Sequence, residues 1–276
     1  GVSVVQDELM MEGMNEKGLS AGLFYFPDYG KYEEYSEANY ETNISDFQLV
    51  SYILGRCATV DEVKAEIARV HIHGFDPRSS TVHWRFAEPS GRQIVLEIID
   101  GKCVFYENKL GVLTNSPSFD WQLTNLNNYV NLLPGRTEPH TLGNMSLSSF
   151  GGGSAMIGLP GDFTPPSRFV RAAFFQSTAP QKPDAEGSVF TAFHILGSME
   201  IPIGAQFPVD ETPTDIPSAT QCTCVTDMSG LRFYYRSMYD GGIRCIDLKE
   251  IDFKKIGLKS EPLVPSKKEF VHHIRF

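Results

Sequence analysis

The stretch GVLTNSPSFDWQLTNL, Gly111 to Leu126, ends an apolar run on an asparagine and holds the following turn open with Pro117. An asparagine placed at such a lip presents a side-chain amide as a fixed hydrogen-bond donor. That suits an oxyanion hole, where rigid donors meet charge as it develops. The alternative is local, with Asn115 satisfying backbone groups of the turn. A second stretch, Gly161 to Arg171, reads GDFTPPSRFVR. Proline is well placed at a helix head, which puts Arg168 in the first turns, where its charge opposes the helix dipole and needs an offsetting partner. Two roles follow: an ion pair with a carboxylate, or a fixed cation that holds an anion or lowers the pKa of a nucleophile.

Other reactive residue types fall into weaker patterns. His71-Ile72-His73 and His272-His273 lack helical i, i+4 spacing and a nearby acidic ligand pattern, so packing or surface roles are expected and no metal site. No serine sits in a Gly-x-Ser-x-Gly elbow, and the glycine-rich run Gly151-Gly152-Gly153-Ser154 lacks the Gly-Lys-Ser/Thr ending of a phosphate loop. Asn43-Ile44-Ser45 and Asn144-Met145-Ser146 match a glycosylation sequon too short to be specific. The five cysteines do not form a disulfide framework and fit a reducing compartment or buried thiols. Cys222 and Cys224 share one face of a strand and are expected to be buried thiols rather than a metal pair.

The whole-chain balance narrows the partners. There are 34 acidic against 24 basic residues in 276, for a formal charge of −10 and a pI near 5.2. Such a chain has no broad basic face for nucleic acid or for an anionic membrane surface. No run approaches the roughly eighteen apolar residues of a membrane span. With 41% hydrophobic residues a sizeable core is available. The start, GVSVVQDELMMEGMNEKG, lacks both an initiator methionine and a signal-peptide pattern. An upstream portion of the natural protein is expected to be missing.

The elements that must position Asn115 and Arg168 are readable in outline. Strands are expected at Val2–Gln6 and Leu19–Phe26, with a turn from Glu12 to Gly18, followed by an aromatic, acidic loop from Asp28 to Thr42. Ser45-Asp46-Phe47-Gln48 and Thr59-Val60-Asp61-Glu62 have the capping-box form, each opening an amphipathic helix, the first stopped by Gly55. Thr81–Glu88 and Arg92–Ile99 read as strands, and Asp100-Gly101 as a hairpin turn before Cys103–Glu107. Leu110–Thr114 reads as one more strand. Residues 131–160 read as a long loop, the kind that is functional or packs on another subunit. Helices near Pro166–Ser177 and Ser188–Met199 precede strands at Thr220–Thr226, Leu231–Met238 and Ile243–Leu248, with Gly241-Gly242 in a turn. Antiparallel strands after a helix pair predict an α+β fold in a single domain, 1–276.

Three blocks taken together carry a resemblance. Gly13-Met14-Asn15-Glu16-Lys17-Gly18-Leu19, then Thr114-Asn115-Ser116-Pro117 with Trp121 and Thr124-Asn125-Leu126, then Gly158 to Pro165 with Ser167-Arg168-Phe169, occur in order along the chain. With Phe193-His194-Ile195-Leu196, they resemble the choloylglycine hydrolase family of conjugated bile salt hydrolases and penicillin V acylases. The resemblance implies a four-layer αββα N-terminal-nucleophile fold, two antiparallel sheets between helix layers. It implies hydrolysis of a linear, non-peptide amide by an N-terminal cysteine whose own α-amino group is the base, without a cofactor. By position, Asn115 matches the oxyanion-hole asparagine. Tyr25 matches the residue whose backbone N–H is the other donor and whose side chain lines the pocket. Arg168 matches the arginine that keeps the thiol ionised.

The match begins partway into the family pattern. No cysteine opens this chain, and the hairpin that carries the nucleophile in the family has no counterpart, so the native protein either has a further N-terminal segment or is a ligand-binding homologue without the chemistry. Tyrosine at position 25 is the penicillin V acylase choice, where a phenol stacks on an aryl acyl group, and it tilts expectation that way without excluding bile salts. Residues 131–160 correspond to the segment through which family members form tetramers. A homotetramer is expected, in the cytoplasm unless an export signal precedes Gly1.

Overall fold

Short alternating strands open the chain, β1 (Val2–Ser3), β2 (Met10–Met14) and β3 (Ser20–Tyr25), paired antiparallel in that order. The computed structural model describes residues 1–3, 6–7, 9–76, 79–206, 219–263, 268, 270–271 and 273–274; Val4, Val5 and His272 lie outside them. The expected turn is shorter than its glycines imply, because Glu12 to Met14 belong to β2. Asn15 supplies the turn instead. Its Oδ1 accepts the Leu19 and Lys17 N–H groups at 3.1 and 3.0 Å, while Nδ2 donates to the Leu54 and Cys57 carbonyls at 2.9 and 2.7 Å.

That second pair of bonds ties the hairpin to the helices that follow. A parallel bridge of β4 (Asn43–Ser45) with β5 (His71–His73) brackets α1 (Leu49–Leu54) and α2 (Val60–Ile67). Both capping boxes form: Gln48 Oε1 accepts the Ser45 N–H at 3.2 Å, and Thr59 and Glu62 exchange bonds at 3.2 and 3.3 Å. β6 (Val82–Ala87), β7 (Gln93–Ile99) and β8 (Lys102–Glu107) complete a six-stranded sheet in the order β1-β2-β3-β6-β7-β8. The turn into β8 uses Asp100 at φ 49° and Gly101 at φ 73°, the left-handed pair that matches hairpin twist.

One face of this sheet, with Leu19, Ala21, Leu23, Trp84, Phe86, Ile94 and Leu96, packs on Leu49, Ile53, Val63 and Ile67 of α1 and α2. The other face is covered as well. Val95 lies in a separate cluster with Phe119 of α3 (Phe119–Asn125) and Phe169 and Ala173 of α4 (Pro165–Thr178). Burial on both sides explains the nearly unbroken apolar run of β7.

Leu110–Thr114 is not a strand. Its backbone groups are met by side chains: Leu110 O by Gln176 Nε2 at 2.9 Å, Val112 O by Asn108 Nδ2 at 3.1 Å, and Thr114 O by His83 Nε2 at 3.0 Å. Gly111 sits at φ 73°, and a Cβ there would stand 2.6 Å from the Gln176 amide nitrogen. The region 131–160 is not one continuous loop either, since it contains an exposed hairpin of β9 (His140–Leu142) and β10 (Met145–Leu147) turned at Gly143, φ 58°.

The C-terminal half forms a second antiparallel sheet of β11 (Cys222–Asp227), β12 (Arg232–Ser237) and β13 (Asp240–Asp247), covered by α5 (Ala185–Gly197) through Val189, Phe193 and Tyr234. Gly241 and Gly242 lie inside β13, not in the turn. Pairing reaches Ser237↔Asp240, which leaves Met238 and Tyr239 as the two-residue connection. Cys57 is buried, whereas Cys103 and Cys245 are exposed. Cys222 and Cys224 are free and half-buried, correcting the expectation of buried thiols.

Candidate active site

Tyr25 is the last residue of β3, opposite Val82. In an antiparallel strand the N–H and C=O of one residue point to the same edge and alternate along the chain. The Phe26 N–H donates to Thr81 O at 2.8 Å, so those of Tyr25 point away from β6. β2 does not cover that edge, because its pairing with β3 stops at Gly22. The Tyr25 side chain is 57% exposed and forms part of the rim.

Asn115 meets that edge. Its Nδ2 donates to the Tyr25 carbonyl at 2.7 Å, and its Oδ1 accepts from Arg168 Nη2 at 2.7 Å. These two contacts decide the amide's orientation: oxygen toward the cation, nitrogen toward β3. The Asn115 amide is thereby held against the β3 edge to which the Tyr25 N–H and C=O point. Three bonds fix the turn. Ser116 Oγ donates to Pro27 O at 2.6 Å, Thr114 Oγ1 to Pro165 O at 3.1 Å, and Gln122 Nε2 to Asn115 O at 3.4 Å. Gln122 carries no sequence signal of this kind. Ser116 and Thr114 stand inside the TNSP block and were legible only as part of it.

Arg168 enters on the first turn of α4. Nε donates to Phe163 O at 3.0 Å, and among the described residues no carboxylate pairs with it, contrary to one of the two roles its position allows. Burial, and then the neighbouring Arg171 cation, push its pKa down, yet an arginine stays protonated. A half-buried cation bound only by neutral oxygens is left to act on an anion. Arg171 braces the approach by donating to Pro160 O and Asp162 O at 2.8 and 2.5 Å.

Asp162 is what lets α4 start there. Its carboxylate accepts the Thr164 N–H at 2.9 Å, the Thr164 hydroxyl at 2.5 Å and the Ser167 hydroxyl at 2.6 Å, and those hydroxyls hold its pKa down at about 2. A depressed carboxylate stabilises above its ordinary value and loses that contribution as pH falls through its folded value. Asp162→Ala is therefore expected to cost about 1 kcal/mol, the usual net worth of a hydrogen bond. In urea titrations the deficit should hold steady above about pH 5 and vanish between about pH 4 and 2.

The remaining expected groups lie elsewhere. His71 bonds Glu33 Oε2 through Nε2 at 2.7 Å and Asn43 Oδ1 through Nδ1 at 2.8 Å, pinning the aromatic loop. Concavities of about 390 Å³ beside Asn43 and Tyr52, and about 580 Å³ beside Leu133 and Ile157, contain none of Tyr25, Asn115 and Arg168. Asn115 and Tyr25 meet instead at the β3 edge that β2 leaves unpaired beyond Gly22.

Comparison with known proteins gives the family. Residues 1–261 match the linear amide C–N hydrolases, choloylglycine hydrolase family. The chain is similar to a bile salt hydrolase/transferase of Clostridium perfringens, 35% identical over 87% of this chain and 72% of that protein. It is similar to another from Lactiplantibacillus plantarum, 34% identical over 92% of this chain and 78% of that protein. A penicillin V acylase of Pectobacterium atrosepticum is more distant, 29% identical over 89% of this chain and 64% of that protein. The crystal structure of a mutant conjugated bile acid hydrolase from Clostridium perfringens superposes with a TM-score of 0.85 and 30% identity, over 99% of this chain and 83% of that one. The α+β N-terminal-nucleophile architecture implied by the sequence blocks is thereby borne out, and with it the amidohydrolase class. The chain belongs to the choloylglycine hydrolase family of linear amide C–N hydrolases.

Proposed function

We propose that the protein hydrolyses the amide bond of conjugated bile salts, with Asn115, Tyr25 and Arg168 as its site residues. The observation that carries this is the Asn115 amide, oriented by Arg168 and held against the uncovered edge of β3 beside the Tyr25 N–H. In this reading the nucleophile is an N-terminal cysteine in a stretch ahead of Gly1. Its thiolate attacks the amide carbonyl carbon, and the carbonyl oxygen gains charge between Asn115 Nδ2 and the Tyr25 N–H. The C–N bond then breaks, the amine leaves with the proton taken up by the α-amino group, and water hydrolyses the thioester to free the acid. Arg168 favours the thiolate and fixes the Asn115 amide.

Identity to bile salt hydrolases at 34–35% supports that substrate class. One observation favours penicillin V as a second substrate: the exposed Tyr25 ring is a flat surface on which an aryl acyl group can stack. The test is to purify the gene product from its source, sequence its N-terminus, and measure amine release from conjugated bile salts and acid release from penicillin V. An N-terminal cysteine with faster bile salt turnover supports the reading. A protein with no cysteine at its N-terminus that cleaves neither substrate overturns it in favour of a pocket that binds without cutting.

The protein is further proposed to be a cytoplasmic homotetramer assembled through residues 131–160. Val130, Leu133, Leu142, Met145, Phe150 and Ile157 are exposed apolar side chains in and beside that segment, available to pack on another copy. Light scattering is expected to give four times the chain mass. Phe150→Asp should shift it to smaller species, and a monomeric native protein would refute the assembly. Among the described residues no helix is long and apolar enough to cross a membrane.

A further inference from the structure

His83 and Glu97 are both fully buried, one step beyond the Trp84↔Leu96 pair of β6 and β7. They are ionisable groups on the face that carries Val95 and packs on α3 and α4, rather than in the cluster under α1 and α2. Burial of such a pair needs a compensating role, because desolvation offsets most of the attraction between the partners. What they touch supplies the role. His83 Nε2 donates to the Thr114 carbonyl at 3.0 Å, one residue before Asn115. His83 Nδ1 faces Glu97 Oε1 at 3.1 Å, and the same Oε1 accepts the Phe119 N–H at 2.9 Å. The Asn115 turn is thus gripped at both ends, at Thr114 through the imidazole and at Phe119 directly by the carboxylate. The imidazole also stacks on Phe26, centroids 4.3 Å apart and planes 9° apart, one residue after Tyr25. One ring therefore touches the chain neighbour of each proposed oxyanion donor.

The protons are countable from the partners. A carbonyl oxygen only accepts, so Nε2 carries a hydrogen, and one further proton lies between Nδ1 and Glu97. Glutamine at 97 is close in shape and keeps an acceptor for Phe119, but it is neutral, so its Oε1 accepts from Nδ1 only if the imidazole gives up its Nε2 hydrogen to do so or is itself charged. We infer that Glu97 and His83 are positioning residues for the oxyanion site, a buried relay that sets the distance between the Asn115 amide and the Tyr25 N–H. The inference rests on the amide-hydrolase reading for its catalytic consequence but not for its structural one.

The test uses the full native protein and three variants: Glu97→Gln, His83→Gln, and Trp84→Phe as a control. Trp84 is equally buried on the same strand, but it faces α1 and α2. Glu97→Gln and His83→Gln are expected to lower kcat roughly tenfold to a hundredfold with KM little changed, the penalty for misplacing a catalytic group by about an ångström. Trp84→Phe should lower the melting temperature without that kcat loss. In an Asn115→Ala background Glu97→Gln should have no further effect on kcat, because the group it positions is gone. Independent losses multiplying in the double variant would overturn the relay. Hydrogen exchange over residues 112–120 reads the same link without turnover. Faster exchange there in Glu97→Gln, but not in Trp84→Phe, supports the inference even if the wild type cleaves no bile salt. Unchanged exchange together with unchanged kcat overturns it while leaving the hydrolase reading intact.

Discussion

Asn115→Ala is expected to lower kcat for conjugated bile salts about 10²- to 10³-fold while leaving KM within a few-fold of its starting value. In the proposed mechanism the removed amide hydrogen meets charge that exists only in the transition state, and loss of one such donor typically costs about 3–4 kcal/mol of barrier. Ground-state binding in that mechanism rests instead on groups such as the exposed Tyr25. Folding should change little, because the bonds to Tyr25 O and Arg168 lie at an accessible edge and such a bond contributes about 1 kcal/mol net. Asn115→Asp separates the two effects more sharply. A carboxylate keeps the size and gains an ion pair with Arg168, which offsets the lost bond to the Tyr25 carbonyl, so stability should change little. It presents only acceptors to the oxyanion, so turnover should be lost at least as completely. Steady-state kinetics beside thermal melts decide the matter, and an Asp variant with near-normal kcat would remove Asn115 from the oxyanion role.

What could be read in the chain before folding follows from where each residue finds its partners. The capping boxes at Ser45 and Thr59, and the Asp100-Gly101 turn, rest on contacts a few residues apart, and all three form as expected. Leu110–Thr114 misleads because an apolar run signals burial, not the partner of the backbone. Here the carbonyls are met by side chains from Gln176, Asn108 and His83, two of them distant in sequence. Gly241 and Gly242 mislead for a related reason, since register set at Ser237↔Asp240 overrides the turn preference of glycine. Within the site, Asn115 and Arg168 were legible as residues of unusual placement, but their bond was not. An arginine whose position allowed either a carboxylate partner or an anion to hold is bonded by an amide oxygen 53 positions away. The relay of His83 and Glu97 was illegible for the same cause, because single ionisable residues in apolar strands show their purpose only once β6 and β7 lie side by side.

Arg168→Met is the second large effect expected, and its pairing with Asn115→Ala tells which of two roles the cation plays. Methionine keeps the stem's bulk on α4 but removes the donors to Asn115 Oδ1 and Phe163 O. The Asn115 amide then loses the contact that sets oxygen from nitrogen, and kcat should fall by roughly a hundredfold, the cost of a catalytic donor no longer held in place. If Arg168 acts only by orienting Asn115, the double variant should be no slower than Asn115→Ala alone, since the oriented group is already gone. If the unpaired guanidinium also favours the anionic nucleophile, the double variant should lose a further factor. The pH profile of kcat/KM for Arg168→Met should then move to higher pH, because a thiol without a nearby cation ionises later. The lack of any carboxylate beside Arg168 among the described residues favours the second outcome. A helix-start cation bound only to neutral oxygens has its charge still to use, and in the proposed mechanism the group it would serve is the one that must become negative to react.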